Sequence, residues 1–335
     1  MNVLVSVFIP CYNETQIIQR LLKSIYDQSY PRSLLEVIIV DGMSTDDTRE
    51  KIKSFSAAHP ELDIKVISNE KKFVTYAVNK GLKAAKGDIL IRMDAHSIPA
   101  DDYISRCVSN LQEGKGDNVG GLLDIQPGKD SYVARSIAIA AAHPIGTGGA
   151  QYRSGSKASE VDTVAFGAFK RETLLRNGFF NEDLMANEDY EWNTRLRMKG
   201  GRIWFDPAIR CKYFSRSNYR ALFKQYFNYG YWKVAMLRLY PNSIRLRQLA
   251  PPIVVLTLMF SSILLGLSLL FSWSYLPWIA AAIIFAYFAV LTLASFLFSR
   301  NTPIKLLPGL VVALAVIHLS WGSGFWYGLI KGKKR

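Results

Sequence analysis

From Ile253 to Ser272 the chain carries no charged residue, and after a short break the same holds from Pro277 to Phe298. A run of about 20 apolar residues matches the thickness of a bilayer's hydrocarbon core. There the backbone has no water to bond, so an isolated segment must satisfy its own N–H and C=O groups by becoming a helix. Both runs are therefore expected to cross a membrane (253–272 and 277–298). The break between them fits only a hairpin, and Trp273, Tyr275 and Trp278 stand there as interfacial aromatics do. A third stretch, Ile304–Ile330, is long enough but holds Lys305, Pro308, His318 and several glycines.

Arg216, Arg220, Lys224, Lys233, Arg238, Arg245 and Arg247 precede the first span, and Arg300 and Lys305 follow the second. The excess of positive charge places both sides in the cytoplasm. The tail KGKKR asks for the same side, which a full third crossing denies it. The third segment is accordingly expected to re-enter or lie at the interface, with His318 and Trp321 facing protein; the alternative is a true span whose tail breaks the rule. The segment before the first span, from Asn218 to Leu249, mixes Tyr, Phe and Trp with Lys and Arg. Such a segment is expected to lie in the headgroup plane, rings toward the acyl chains and cations on phosphates. A soluble helix with a basic face is the plainer reading. The formal net charge of +14 is thus assigned to membrane lipids, and no nucleic acid is expected.

The three cysteines, Cys11, Cys107 and Cys211, are widely separated, with no CxxC or Cys/His cluster, so neither a zinc site nor a disulfide framework is expected. The opening MNVLVSVFIPCYNE lacks a basic n-region and a small-residue cleavage site and reads as a strand. Short β-branched runs then alternate with helical spacing: strands over Val3–Ile9, Glu36–Val40, Ile64–Ser68 and Ile89–Met93, helices over Glu14–Asp27, from STDDT to about Ala58, and over Thr75–Ala85. That alternation predicts an α/β domain with a mostly parallel sheet and helices on both faces. Ligands of such sheets bind at the carboxyl ends of the strands. Three of those ends are polar: Pro10-Cys11-Tyr12-Asn13-Glu14, Asp41-Gly42 and Asp94-Ala95-His96. GxGxxG and GxxxxGK[ST] are absent. After Asp117 the pattern loosens. Residues 143–160 read as a mobile Gly/Ser loop, VDTVAFGAFKRE as strand, turn and helix, and NEDYEWNTRLRMKGG as a helix from near Asn187 capped by Gly200.

An acid and an imidazole two residues apart in extended chain point to the same side. A hard divalent ion held mostly by substrate phosphates needs only one or two protein ligands, so Asp94 and His96 are candidate ligands for Mn²⁺ or Mg²⁺. A turn in which Asp94 caps backbone N–H groups is the simpler alternative. Asp41 is placed to accept from a base or ribose. Glu188 and Asp189 open a helix, where acids complement the macrodipole, but either also suits a general base. Phe166, Gly167, Ala168, Phe169 and Trp192 flank them as a candidate sugar or acceptor pocket.

The stretches VSVFIPCYNE, VIIVDGMSTDDT, NKGLKAAKGDILIRMDAHS, VAFGAFKRE and NEDYEWNTRLRMKG occur in this order over the first two-thirds of the chain. As a set they resemble the inverting family 2 glycosyltransferases of the GT-A fold. DAH, FGAFKRE, QYFNYG and HLSWGSGF are more specifically similar to succinoglycan-type membrane glucosyltransferases of bacterial exopolysaccharide pathways. The resemblance implies that Pro10, Tyr12, Glu14, Asp41 and Asp94 bind the nucleotide sugar, usually of uridine diphosphate. It puts Asp94 and His96 at the family's DxD, His96 replacing the second acid. Asp189 becomes the catalytic base, with Glu188 the second choice. Processive members carry QxxRW; here Gln225-Tyr226-Phe227-Asn228-Tyr229-Gly230 stands instead, which implies a single sugar addition.

The expected layout is a cytoplasmic GT-A domain (1–215), basic-aromatic interfacial helices (216–250) with Gln225, Tyr229 and Trp232 at the interface, and a membrane region (251–335). The expected activity moves one sugar, with glucose the first candidate, from a nucleotide diphosphate to a polyprenyl-linked acceptor, with other polysaccharide-assembly proteins as further partners. A polyprenyl-phosphate sugar synthase and an inactive scaffold of a polysaccharide export complex are the competing readings.

Overall fold

The computed structural model describes residues 3–271, 275–298 and 302–331; Trp273, Arg300 and the basic residues after Lys331 lie outside them. The elements begin with β1 (Val5–Cys11), α1 (Ile18–Tyr26), β2 (Leu35–Asp41), α2 (Thr48–Ala58), β3 (Asp63–Ser68), α3 (Val74–Ala84), β4 (Ile89–Arg92), β5 (Ser97–Pro99), α4 (Tyr103–Gln112) and β6 (Asn118–Gln126). They continue with α5 (Tyr132–Ala142), α6 (Pro144–Thr147), α7 (Gln151–Ser154), β7 (Ser159–Glu160), β8 (Ala168–Lys170), α8 (Arg171–Asn177), α9 (Glu188–Met198) and β9 (Ile203–Phe214). The last four helices are α10 (Tyr219–Leu239), α11 (Ala250–Leu270), α12 (Leu276–Phe298) and α13 (Leu307–Lys331).

The chain divides into two compact units: Met1–Asp124 with Ala150–Phe214, and Ile125–Gly149 with Ser215–Arg335. The units part between Phe214 and Ser215. The segment 125–149, however, goes with the second unit, because α5 is an Ala/Ile-rich helix whose Ile137 and Ala140 join the core around α13.

The first unit is one sheet in the order β3-β2-β1-β4-β8-β6-β9-β5, with β7 on β9. The four strands read from the sequence are parallel to one another. The strands that join later do so antiparallel, β8 on β4 and on β6, and β5 and β7 on β9, so the sheet is mixed. Val5, Val7, Phe8, Ile9 and Val37–Val40 are wholly buried, as a sheet covered on both faces requires. On one face Phe8, Ile38, Val40 and Leu90 meet Val78 and Leu82 of α3, Leu174 of α8, and Trp192 and Leu196 of α9. Pro10 sits inside a central strand without cost. β4 pairs only as far as Phe8, so no neighbour asks Pro10 for an N–H on that side.

The second unit is built around α13. This helix runs unbroken through Pro308, His318 and its glycines and is long and apolar enough to cross a bilayer, as are α11 and α12. It is also the most buried of the three, because its glycines admit other helices. A methyl group at Gly324 would lie 2.0 Å from Phe227 O, one at Gly230 of α10 2.0 Å from Trp321 O, and one at Gly322 2.4 Å from Pro251 O of α11. Small residues at such crossings let backbones approach within van der Waals contact, the packing favoured in bilayers. His318 faces protein as expected, between Tyr287 Oη (3.4 Å) and Ile145 O (3.0 Å).

Helix α10 packs along α13. Leu222, Tyr226, Gly230, Lys233 and Val234 form a buried seam. Two of the cations that set the expected topology are engaged within this unit: Lys233 Nζ donates to Ser243 O (3.1 Å) and Arg238 to Gly328 O (3.1 Å). Gln225 donates to Tyr229 Oη (2.9 Å), and Trp232 stands edge-on to Tyr231. All three proposed interface residues are half-buried.

Candidate active site

The polar strand ends of the first unit do converge. Beyond β1, Asn13 turns the chain at φ +54° and is bonded to the loop after β2: its N–H reaches Ser44 Oγ (2.9 Å) and its Oδ1 accepts from Thr45 N (2.8 Å). Gly42 N closes on Cys11 O (2.8 Å). Four of the five non-glycine residues described at positive φ, Asn13, Met43, Phe166 and Asn187, flank these strand ends or the pocket below, as strained backbone at functional sites tends to.

Asp41 ends β2 fully buried, its oxygens taken by Ser44 and by Arg49 Nε. It thus fixes the loop, and a nucleotide contact would have to displace one of those partners. Tyr12 is half exposed (48%) and open to a planar ring. Glu14 Oε1 lies 3.2 Å from His96 Nδ1, joining the ends of β1 and β4 across 82 positions of sequence. Tyr213 of β9 packs edge-on against His96, ring centroids 4.9 Å apart. Burial opposes a charge on His96, but Tyr213, Glu14 and Asp94 outweigh it and push the imidazole up to about 10.

Among the described residues no group of three or more His, Cys, Asp or Glu side chains forms a cation cage. The Asp94–His96 pair nevertheless fits a divalent ion bound mostly through phosphates. A carboxylate accepting from one ring nitrogen is the usual support of a metal-ligating histidine. Glu14 supplies it at Nδ1, leaving Nε2 as the donor atom. A cation there must displace the imidazolium proton.

At the end of β4, Arg92 is buried and binds Glu188 Oε1 at 2.9 Å and Asp94 Oδ1 at 3.4 Å. The two acids that open α9 are thereby separated in role. Glu188 is neutralised by Arg92. Asp189 accepts the N–H of Tyr190 (2.7 Å), and burial, with Glu188 beside it, raises its carboxyl to about 6 against the pull of Arg92. Asp189 lines a small, partly open pocket, with room for about one water, together with Arg92, Asn118, Gly167, Phe169, Trp192 and Asn193, among others. Gly167, Phe169 and Trp192, named from the sequence, are among its lining. Ala168 is not in the lining: on a strand, the residue between two wall positions points to the opposite face, and its side chain is core. Trp192 is itself fully buried, stacked on Phe180 at 5.4 Å, and donates to Gly178 O (2.8 Å), so it supports the floor rather than lying open.

Sequence reasoning missed Arg92, Asn118, Asn193 and Tyr213. Arg92 left a signal: an arginine inside the apolar run GDILIRM has to find acids. The other three lie on elements whose pattern gave no sign of the site.

A mixed α/β sheet with a polar crevice at its strand ends, a DxH pair and a buried acid on the following pocket define a GT-A-type glycosyltransferase. The chain belongs to glycosyl transferase family 2, whose sequence profile matches residues 6–176, about half of it. It is 29% identical over 336 residues, covering 98% of both proteins, to the Methanococcus voltae dolichyl N-acetyl-alpha-D-glucosaminyl phosphate 3-beta-D-2,3-diacetamido-2,3-dideoxy-beta-D-glucuronosyltransferase. It is 28% identical over 331 residues to succinoglycan biosynthesis protein ExoA of Rhizobium meliloti, covering 98% of this chain and 96% of that one. In fold it matches a mannosyltransferase from Pyrobaculum calidifontis solved with GDP-Man and Mn²⁺, with a TM-score of 0.67 over 98% of this chain and 88% of the other, at 22% identity. The protein is a glycosyltransferase with three helices fit to hold it in a membrane.

Proposed function

We propose that the chain adds a single sugar from a nucleotide diphosphate donor, with uridine diphosphate glucose the first candidate, to a polyprenyl-linked acceptor at the cytoplasmic face of the membrane, with inversion. The observation that carries this reading is Asp189, a buried carboxyl raised to about 6 beside a Glu188 already paired with Arg92. A base that is ionised at neutral pH yet still basic suits proton abstraction from a hydroxyl. Asp189 takes that proton as the acceptor oxygen attacks the anomeric carbon. The bond to the diphosphate breaks on the opposite side, and the nucleotide leaves with the electron pair. A Mn²⁺ or Mg²⁺ ion held by Asp94 and His96 would neutralise the leaving diphosphate. Glu14 orients His96, Tyr12 and Pro10 border the nucleotide, and the loop fixed by Asp41 walls it in. Polyprenyl-linked acceptors are supported by the M. voltae relative, which acts on a dolichyl-linked sugar, and by the three apolar helices. The residues 1–215 are assigned to catalysis, 216–250 to the interface and 251–335 to the membrane, and other polysaccharide-assembly proteins are expected partners.

The test is a panel of nucleotide sugars offered to the full chain in membranes, following nucleotide release and label in the lipid extract, with Mn²⁺, Mg²⁺ and chelator in parallel. Cation-dependent label that vanishes in Asp189→Asn supports the reading. Label that persists in that variant with bare polyprenyl phosphate would move the acceptor to the lipid phosphate, which needs no base. An intact fold that binds no nucleotide would overturn it.

A further inference from the structure

We propose that Arg92 and Asn118 form a subsite that reads one neutral hydroxyl of a sugar beside the base, resting on the transferase reading above. Both side chains are more than nine-tenths buried and both line the pocket that holds Asp189. Arg92 spends Nε and Nη2 on Asp94 and Glu188, and its buried Nη1 has no protein partner. Asn118 Oδ1 is likewise buried without one. A buried donor or acceptor left without a partner is destabilising, so two on one pocket point to a group that meets both.

The orientation of Asn118 is set by a chain of bonds. Val164 O can only accept, so the nitrogen it faces, at 3.4 Å, is Asn193 Nδ2, which also donates to Thr163 Oγ1 (2.8 Å). Asn193 Oδ1 is then turned to Asn118 and accepts from its Nδ2 (2.7 Å). That leaves Asn118 Oδ1 as the atom offered to the pocket. The amide packs where a side chain on Gly167 would be, 2.3 Å from its ideal Cβ, which explains the glycine.

The pair is thus one charged donor and one neutral acceptor. A hydroxyl satisfies both at once, accepting from Arg92 Nη1 and donating to Asn118 Oδ1. A carboxylate would set its oxygen against Asn118 Oδ1, and an ammonium would meet the guanidinium. Phe166, Phe169, Phe180 and Val164 make the lining around the pair apolar, and the space is the size of one hydroxyl. The hydroxyl comes from the transferred sugar or from the acceptor sugar.

The experiment uses the full chain in detergent with the donor found by the nucleotide-sugar panel, uridine diphosphate glucose first, and its monodeoxy analogues. Monodeoxy acceptors are run as a second arm. One deoxy position is expected to lower kcat/KM of the wild type by on the order of 100-fold, as sites built to bond a hydroxyl reject its absence. In Asn118→Leu that same position should cost no more than a few-fold, with nucleotide affinity by calorimetry unchanged as the check that the variant folds; Arg92→Lys, which also disturbs Asp94, is read only through the ratio of deoxy to parent turnover. A penalty on donor analogues assigns the transferred sugar, and one on acceptor analogues assigns the acceptor. If no deoxy position costs the wild type more than a few-fold, or the penalties survive in both variants, the pair binds a structural water only and the proposal fails. Turnover of the parent sugar by the wild type is read first, so failure of the transferase reading shows separately.

Discussion

Replacing Asp189 by Asn should abolish activity and make the protein more stable, by an amount that depends on pH. The folded chain raises this carboxyl from its ordinary 3.8 to about 6, first through burial and then through Glu188. A carboxyl whose folded value exceeds its unfolded one resists ionising in the fold. Stability is therefore fully present below about pH 4 and is lost as pH climbs to about 6. A shift of about two units corresponds to at most ~3 kcal/mol withheld at neutral pH. Asn keeps the oxygen that accepts from Tyr190 N–H and never ionises. At pH 7.5 the variant should melt a few degrees above the wild type, and at pH 4 the two should coincide. Melting the full chain in detergent across that range is the assay. In parallel, kcat/KM of the wild type should fall about tenfold per unit below pH 6, and the variant should lose about 10²–10⁴-fold at pH 7.5. A variant less stable than the wild type at pH 7.5, or a melting difference that ignores pH, would refute the account of Asp189 as a destabilised, poised base.

Glu188→Gln removes the partner of Arg92 rather than the base, so activity should fall well short of the Asp189→Asn loss while stability drops by about 3–5 kcal/mol, as when a buried ion pair is broken from one side; melting and turnover on the same samples decide it. His96→Asp sets a new carboxylate against Glu14, so this variant should melt lower than the wild type with chelator and recover with Mn²⁺, and it should reach half-maximal activity at a lower Mn²⁺ concentration. Gly230→Leu drives a side chain into Trp321 O and should separate α10 from α13, seen as aggregation of the detergent-solubilised chain at a temperature well below that of the wild type. Cys11, Cys107 and Cys211 are buried with thiols pushed upward by that burial, so a maleimide should label them only after unfolding; rapid labelling of the folded chain would contradict their placement.

The sequence by itself determined whatever is written in local periodicity. Buried strands with continuous apolar runs, helices at 3.6-residue spacing and charge-free spans about 20 residues long each declare themselves within a dozen positions, so β1 to β4, α1 to α3, α11 and α12 were legible, as were the polar residues at the strand ends. Tertiary structure decided what depends on distant partners. Strand β9 was hidden by Asp206-Pro207 in its middle and exists because β5 and β7 pair with it. Helix α5 looked like loose chain after Asp117, yet its small apolar face packs on α13. The glycines of α13 read as a reason to bend and proved to be crossing points, since a missing side chain weakens a lone helix but lets two pack closely. Which of Glu188 and Asp189 is paired with a guanidinium depends on Arg92, almost a hundred residues away, and the partner of His96 is Glu14, beyond the end of another strand. Residue type states what a side chain can do, and only the neighbours folded against it fix which of those things it does.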